Sequence, residues 1–193
     1  MTDILLTPEL LQQKLSQLNL NSGERCDPTS ACAAILIPII KQNSEWSLLF
    51  TRRTGNVSSH QHEVSFPGGS YEPADINLEN TALRETNEEI GIESKDIRIL
   101  GELPTSTTIT GFKVFPYVAL VTWPVDLKIN SEEVDSVFSV PITWLENPAN
   151  YYEEDYRSEL FGVRKVIHYK EYEGEYLWGY TARVTLQFLD ILK

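Results

Sequence analysis

The chain has 193 residues, and its 28 Asp and Glu against 16 Lys and Arg give a formal net charge of −12. A content of 41% hydrophobic and 23% charged residues suits one globular domain with a sizeable core, and excludes a disordered chain, a collagen repeat and a disulfide-dense scaffold. The negative field opposes nucleic-acid backbones and anionic membranes, and the Lys and Arg are scattered rather than gathered into a patch that would overcome it.

The amino-terminal Met1 to Glu9 has no basic segment before its short apolar run, and no apolar stretch approaches the roughly 18 residues that cross a bilayer. Nor is Asp190-Ile-Leu-Lys193 a Ser-Lys-Leu ending, so a cytoplasmic protein is expected. Thr7-Pro8-Glu9 supplies a cap, a proline at the first helical position and an acid in the first turn; Leu10, Leu11, Leu15 and Leu18 then recur at helical spacing. Residues 21–29 are polar and turn-rich. Cys26 and Cys32 match no zinc spacing and are read as reduced thiols.

Ala31 to Ile40 is nearly continuously apolar, as a buried strand is, and Trp46 to Arg53 is its hairpin partner. The pattern then lapses from Gly55 to Ser65 and ends in Phe66-Pro-Gly-Gly69, whose glycines permit a close approach to the backbone. Residues Asn77 to Ile90 form the strongest helix, capped by Asp75 or Asn77 and closed by Gly91. Strands are expected at Arg98–Leu103, Phe112–Trp123, as a central strand, and Val134–Val140, with one helical turn in Pro141–Asn147. Arg164–Tyr172 and Glu175–Trp178 suggest a hairpin, and Val184, Phe188 and Ile191 a closing helix. The succession is α+β, an α/β/α sandwich with a mixed central sheet, in a single domain of residues 1–193 whose first 29 residues are a lead-in.

Within the long helix, Glu85, Glu88 and Glu89 stand at i, i+3 and i+4 and share one face. Arg84 can reach Glu88 but cannot neutralise three acids. A hard divalent cation can: Mg²⁺ takes a few carboxylates, keeps waters and completes its shell from substrate phosphates.

Gly69-Ser-Tyr-Glu-Pro-Ala-Asp75 followed by Arg84-Glu-Thr-Asn-Glu-Glu-Ile-Gly-Ile92 resembles the Nudix box, G-x5-E-x7-R-E-U-x-E-E-x-G-U with U a bulky apolar residue. Asp75 replaces the first glutamate, and eight residues rather than seven separate it from Arg84. Both departures, with Thr81-Ala-Leu-Arg-Glu85, resemble the coenzyme A pyrophosphatase branch. So do Leu48-Leu-Phe-Thr-Arg-Arg53, Val64-Ser-Phe-Pro-Gly-Gly69, Thr110-Gly-Phe with Val114 and Pro116, Glu133-Val with Val137-Phe, and Leu177-Trp-Gly-Tyr-Thr-Ala-Arg183. The branch signature upstream of the box is half kept: Phe50, Thr54, Ser58 and His62 stand where Leu, Ser or Ala, Arg and Gly belong. An arginine is the expected fork for a phosphate such as the 3′-phosphate of coenzyme A, so Ser58 is the departure that bears on substrate.

The resemblance implies Mg²⁺- or Mn²⁺-dependent hydrolysis of a nucleoside diphosphate derivative. Coenzyme A or a coenzyme A ester leads, with ADP-ribose, NADH or a dinucleotide as alternatives; a non-catalytic nucleotide sensor and an acidic structural domain are the readings of other classes. It implies Glu85, Glu88 and Glu89 as metal ligands with a carbonyl of Gly68 or Gly69, and Arg84 as the partner that orients an acidic neighbour. Arg53, Phe66, Gly68 and Gly69 would contact substrate. The base comes from the box, as Glu88, or from outside it, where Glu133 holds the corresponding position. His60 and His62 are phosphate or base candidates or solvated loop residues; Lys113 and Arg183 are phosphate contacts or surface pairs. Tyr151, Tyr152, Tyr156, Trp144 and Trp178 stack a base or pack the core. The expected partner is a small molecule, not nucleic acid or membrane, and a homodimer is compatible with it.

Overall fold

A computed structural model describes residues 7–18, 26, 31–55, 62–108, 111–158 and 162–193. The segments 1–6, 21–25 and 27–29, and with them Ser58, His60 and Thr110, lie outside the described residues. Helix α1 (Pro8–Ser16) starts as its sequence dictates, with the Leu10 amide donating to Thr7 Oγ1 at 3.2 Å. Next come β1 (Cys32–Gln42) and β2 (Glu45–Arg53), an antiparallel hairpin, and the short β3 (Val64–Ser65) and β4 (Gly68–Ser70). Helix α2 (Leu78–Ile90) begins at Asn77, whose Oδ1 accepts the Asn80 amide at 2.8 Å, and ends at Gly91 in the left-handed region. Asn77, not Asp75, is therefore the cap.

Strands β5 (Ile97–Glu102), β6 (Ser106–Thr107), β7 (Lys113–Val121) and β8 (Val134–Pro141) lead to the single turn α3 (Ile142–Leu145). A ribbon of β9 (Tyr151–Ser158) and β10 (Gly162–Tyr169) precedes α4 (Gly179–Leu192). The main sheet is mixed: β1 runs parallel to β7 and antiparallel to β2 and β4, while β8 joins β2, and β5 and β6 join β7. Central β1 is apolar from Cys32 to Ile40 because both of its faces are covered there, and ends in exposed Lys41 and Gln42. Ile37 and Ile39 pack with Leu11 and Leu15 of α1 and Ala182, Val184 and Phe188 of α4; Ala34 and Leu36 pack with Leu78 and Ala82 of α2. The result is the expected α/β/α sandwich. Among the described residues no helix is long and apolar enough to cross a membrane.

Two expectations are corrected. The ribbon strand paired with β10 is β9 rather than Glu175–Trp178, which contributes only isolated bridges, His168 to Trp178 and Tyr172 to Glu175. Most β9 side chains are exposed, so no buried alternate face marks the strand in the sequence. Cys26 and Cys32 are not reduced thiols but form a disulfide, their Cα atoms 5.9 Å apart, within bridging range. That approach depends on the path of the lead-in, which composition does not reveal.

Candidate active site

The site is assembled where α2 crosses the glycine strand. Gly68 and Gly69 do not form a free turn but pair with Ile35 and Ala34 of β1, and Glu85 lies directly against Gly69. A Cβ on Gly69 would come within 2.4–2.5 Å of the Glu85 carboxylate, so only glycine leaves that carboxylate its place. The Gly68 amide donates to Glu89 Oε2 at 3.3 Å. The Phe66 side chain is buried and stacked on Phe50, ring centroids 4.7 Å apart, which anchors the following glycines to the core.

Glu89 is 2% exposed. Burial, opposed by the Gly68 amide and Arg53 but assisted by the charges of Glu85 and Glu133, pushes its carboxyl up to about 8. Burial likewise raises Glu85, against the pull of Arg84. Two desolvated carboxylates repelling one another beside a glycine cradle are oxygen donors suited to a hard divalent cation, and this donor set fits Mg²⁺ or Mn²⁺. Glu88 is placed differently: half exposed, it is held by Arg84 Nη1 at 2.9 Å. Among the described residues no three His, Cys, Asp or Glu side chains converge into a ligand set.

Arg84 is a clamp. Its Nε and Nη2 bond the two oxygens of buried Asp75 at 2.9 and 3.1 Å, Nη2 also reaches the Ser70 carbonyl at 3.1 Å, and Nη1 lies 3.0 Å from Glu85. Asp75 further accepts from Thr81 Oγ1 at 2.8 Å and the Glu72 amide at 3.0 Å. The Arg84 hydrogen bonds, with smaller help from Glu72 and Thr81, hold its carboxyl below the usual range despite burial. The acid that Arg84 grips most fully is Asp75. Thr81, the second support of Asp75, had no signal beyond the resemblance.

The opposite wall comes from β2 and the turn before β8. A register shift between Arg52 and Arg53 interrupts the ladder with β8, and Arg53 Nη1 lies 3.7 Å from Glu89 Oε1. The Thr54 amide and hydroxyl donate to the carbonyls of Glu133 and Glu132, each at 2.9 Å. Asn130 and Lys128 donate their amides to the carbonyls of Glu89 and Ile90 at the end of α2. Arg53 from the end of β2, Glu133 from the turn before β8, and Glu85 and Glu89 from α2 are thus brought together from three segments. The Arg53 Nε is buried with no hydrogen-bond partner among the described residues. An open groove of about 500 Å³ borders Asp75 and Arg84 on the outer side of α2, but neither Glu85 nor Glu89 lines it.

Other candidates sort by surroundings. His62 is exposed, and Lys113 and Arg183 lie over the rings of Phe115 and Tyr180. Trp144 and Tyr151 pack on the core Tyr169, whereas Tyr152 and Trp178 flank His168 outside that core.

A NUDIX domain family model matches residues 31–159. The Nudix hydrolase NudL of Yersinia enterocolitica is 37% identical over 152 residues, 79% of this chain and 76% of its own. Two solved structures share the fold. A MutT/nudix family protein from Enterococcus faecalis aligns with TM-score 0.56 and 13% identity over 96% of this chain and 73% of its own. The NUDIX domain of Shewanella oneidensis NrtR, complexed with ADP ribose, aligns with TM-score 0.50 and 18% identity over 66% of this chain and 81% of its own.

Proposed function

The chain belongs to the Nudix family, and from that premise we propose that it hydrolyses the diphosphate of a nucleoside diphosphate derivative with Mg²⁺ or Mn²⁺. The leading substrate is coenzyme A or a coenzyme A ester, giving 4′-phosphopantetheine and adenosine 3′,5′-bisphosphate. The observation that carries the reading is the contact between Glu85 and the Gly69 backbone beside buried Glu89, which spends stability to hold two carboxylates together.

Glu85, Glu89 and the Gly69 carbonyl would hold the cation, with Glu88 contributing once released from Arg84. Bound there, it would supply Lewis-acid stabilisation and lower the pKa of a water. Arg53 supplies the fork for a phosphate oxygen, its Nε having no other partner among the described residues. Glu133, beside Glu85 and Glu89, takes the proton of the attacking water, with Glu88 the alternative base. Arg84 is a positioning residue: it fixes α2 against Ser70 and Asp75, and so Glu85 against Gly69.

The branch resemblance of Thr81–Glu85 favours coenzyme A, while Ser58 favours a substrate without the 3′-phosphate, such as ADP-ribose. The test is Mg²⁺- and Mn²⁺-dependent turnover of coenzyme A, ADP-ribose, NADH and diadenosine polyphosphates, with Glu89→Gln as blank. Preference for coenzyme A that Glu89→Gln abolishes is the expected result. Turnover of another diphosphate discards the substrate and keeps the chemistry; no Glu89-dependent turnover discards the enzyme in favour of a sensor.

A further inference from the structure

We propose that the parallel rings of Tyr152, His168 and Trp178, edged by Tyr176, are the platform on which the substrate's nucleobase stacks. The inference rests on the hydrolase reading above and deepens it by naming the far end of the same site. The ribbon register sets His168 opposite Tyr152, and a bridge sets it against Trp178. Ring centroids are 5.4 Å apart for Tyr152 and His168 and 5.8 Å for His168 and Trp178, with interplanar angles of 16° and 10°. His168 Nδ1 and the Tyr176 hydroxyl lie 2.7 Å apart, which fixes the imidazole in the stack.

The core does not account for this cluster. Trp144, Tyr151 and Tyr172 pack around Tyr169 in the interior, but Tyr152 is 47% and Tyr176 43% exposed. Exposed rings gathered together mark a binding surface, and a ladder with a partly open end ring accepts one more planar ring without hydrogen-bond readout.

Position links the ladder to the carboxylates. Arg52 and Arg53 end β2; Arg53 meets Glu89, and Arg52 Nη1 bonds Glu175 at 3.1 Å, the residue before Tyr176. Thr181 Oγ1 donates to the carbonyl of Val64 at 3.1 Å, and Val64 pairs with Arg52, so α4 and its preceding Trp178 are fastened to the same strand end. A diphosphate held near Arg53 therefore has its nucleoside side directed around the end of β2.

The test is calorimetric binding, with Mg²⁺, of ADP, which carries the base and diphosphate of the substrates considered, and of inorganic pyrophosphate, which lacks the base. Tyr152→Ala should weaken ADP at least about fivefold and leave pyrophosphate unchanged, while Tyr152→Phe binds both as the wild type does. Equal binding of ADP by Tyr152→Ala and wild type overturns the inference, as does parallel weakening of both probes or a wild type that binds ADP no better than pyrophosphate. A change of molecular mass in Tyr152→Ala with ADP affinity intact makes the ribbon a self-association face, and also overturns it. The hydrolase reading fails separately, by absence of metal-dependent turnover in the wild type.

Discussion

Glu89 holds a buried carboxyl that titrates near 8, against an ordinary 4.5 in the unfolded chain. Between those values the folded protein keeps a proton that the unfolded chain has released, so metal-free stability falls as pH rises through the window. Urea midpoints of the wild type should decline from pH 5 to pH 8, a change of roughly 2–4 kcal/mol that Glu89→Gln lacks; parallel pH profiles would remove Glu89 as its source. In the proposed cation role of Glu89, Mg²⁺ or Mn²⁺ would compete with that proton and should raise the wild-type midpoint more at pH 8 than at pH 6. Gly69→Ala acts on the neighbouring carboxylate. Its methyl displaces Glu85, and activity should drop about 10–100-fold while circular dichroism and melting stay near wild type. Full activity would mean that the Gly69 contact has no role in turnover.

At the scale of the element, α2 was legible because its cap, periodicity and closing glycine all lie within a few residues of one another. What it does in the site depends on residues far from it in sequence. The Arg84 fork on Asp75 spans the loop before the helix, and replacing it with the single ammonium of Arg84→Lys should cost about 3 kcal/mol in denaturant unfolding. Asp75 is depressed, so the stability it contributes is present above its ordinary 3.8 and lost as pH falls through its lower folded value. The gap between wild type and Arg84→Lys should therefore close on the acid side; a gap constant to low pH would place the loss elsewhere. Strand β9 was illegible for the opposite reason. Its pairing with β10 is specified by register and not by a buried stripe.

For the whole molecule, the disulfide ties the lead-in to the first residue of β1, whose carbonyl accepts the Tyr71 amide just after the glycine strand. Cross-linking across six residues constrains the unfolded chain modestly, so reduction or Cys26→Ser should lower stability by about 2 kcal/mol in reversible unfolding. Cys32 packs with Leu36, Leu78 and Ala82 in the core, so turnover by the folded fraction should be kept; loss of turnover without loss of fold would make the bridge part of the active site.

The elements whose signals are local were readable from the order of residues. These are the apolar run of β1, the amphipathic α2 with Glu85, Glu88 and Glu89 on one face, and the glycine pair, together with the family resemblance that a fixed spacing carries. Tertiary structure alone decided which carboxylates are buried. Helical spacing puts Glu85, Glu88 and Glu89 on one face, yet only packing against Gly68 and Gly69 desolvates Glu85 and Glu89 and leaves Glu88 to Arg84. It also brought Arg53 and Glu133 to Glu89, drew Phe66 into the core and closed Cys26 on Cys32. Burial and charge depend on neighbours in space, and the chain brings those neighbours together only when the sheet and its two helical layers close.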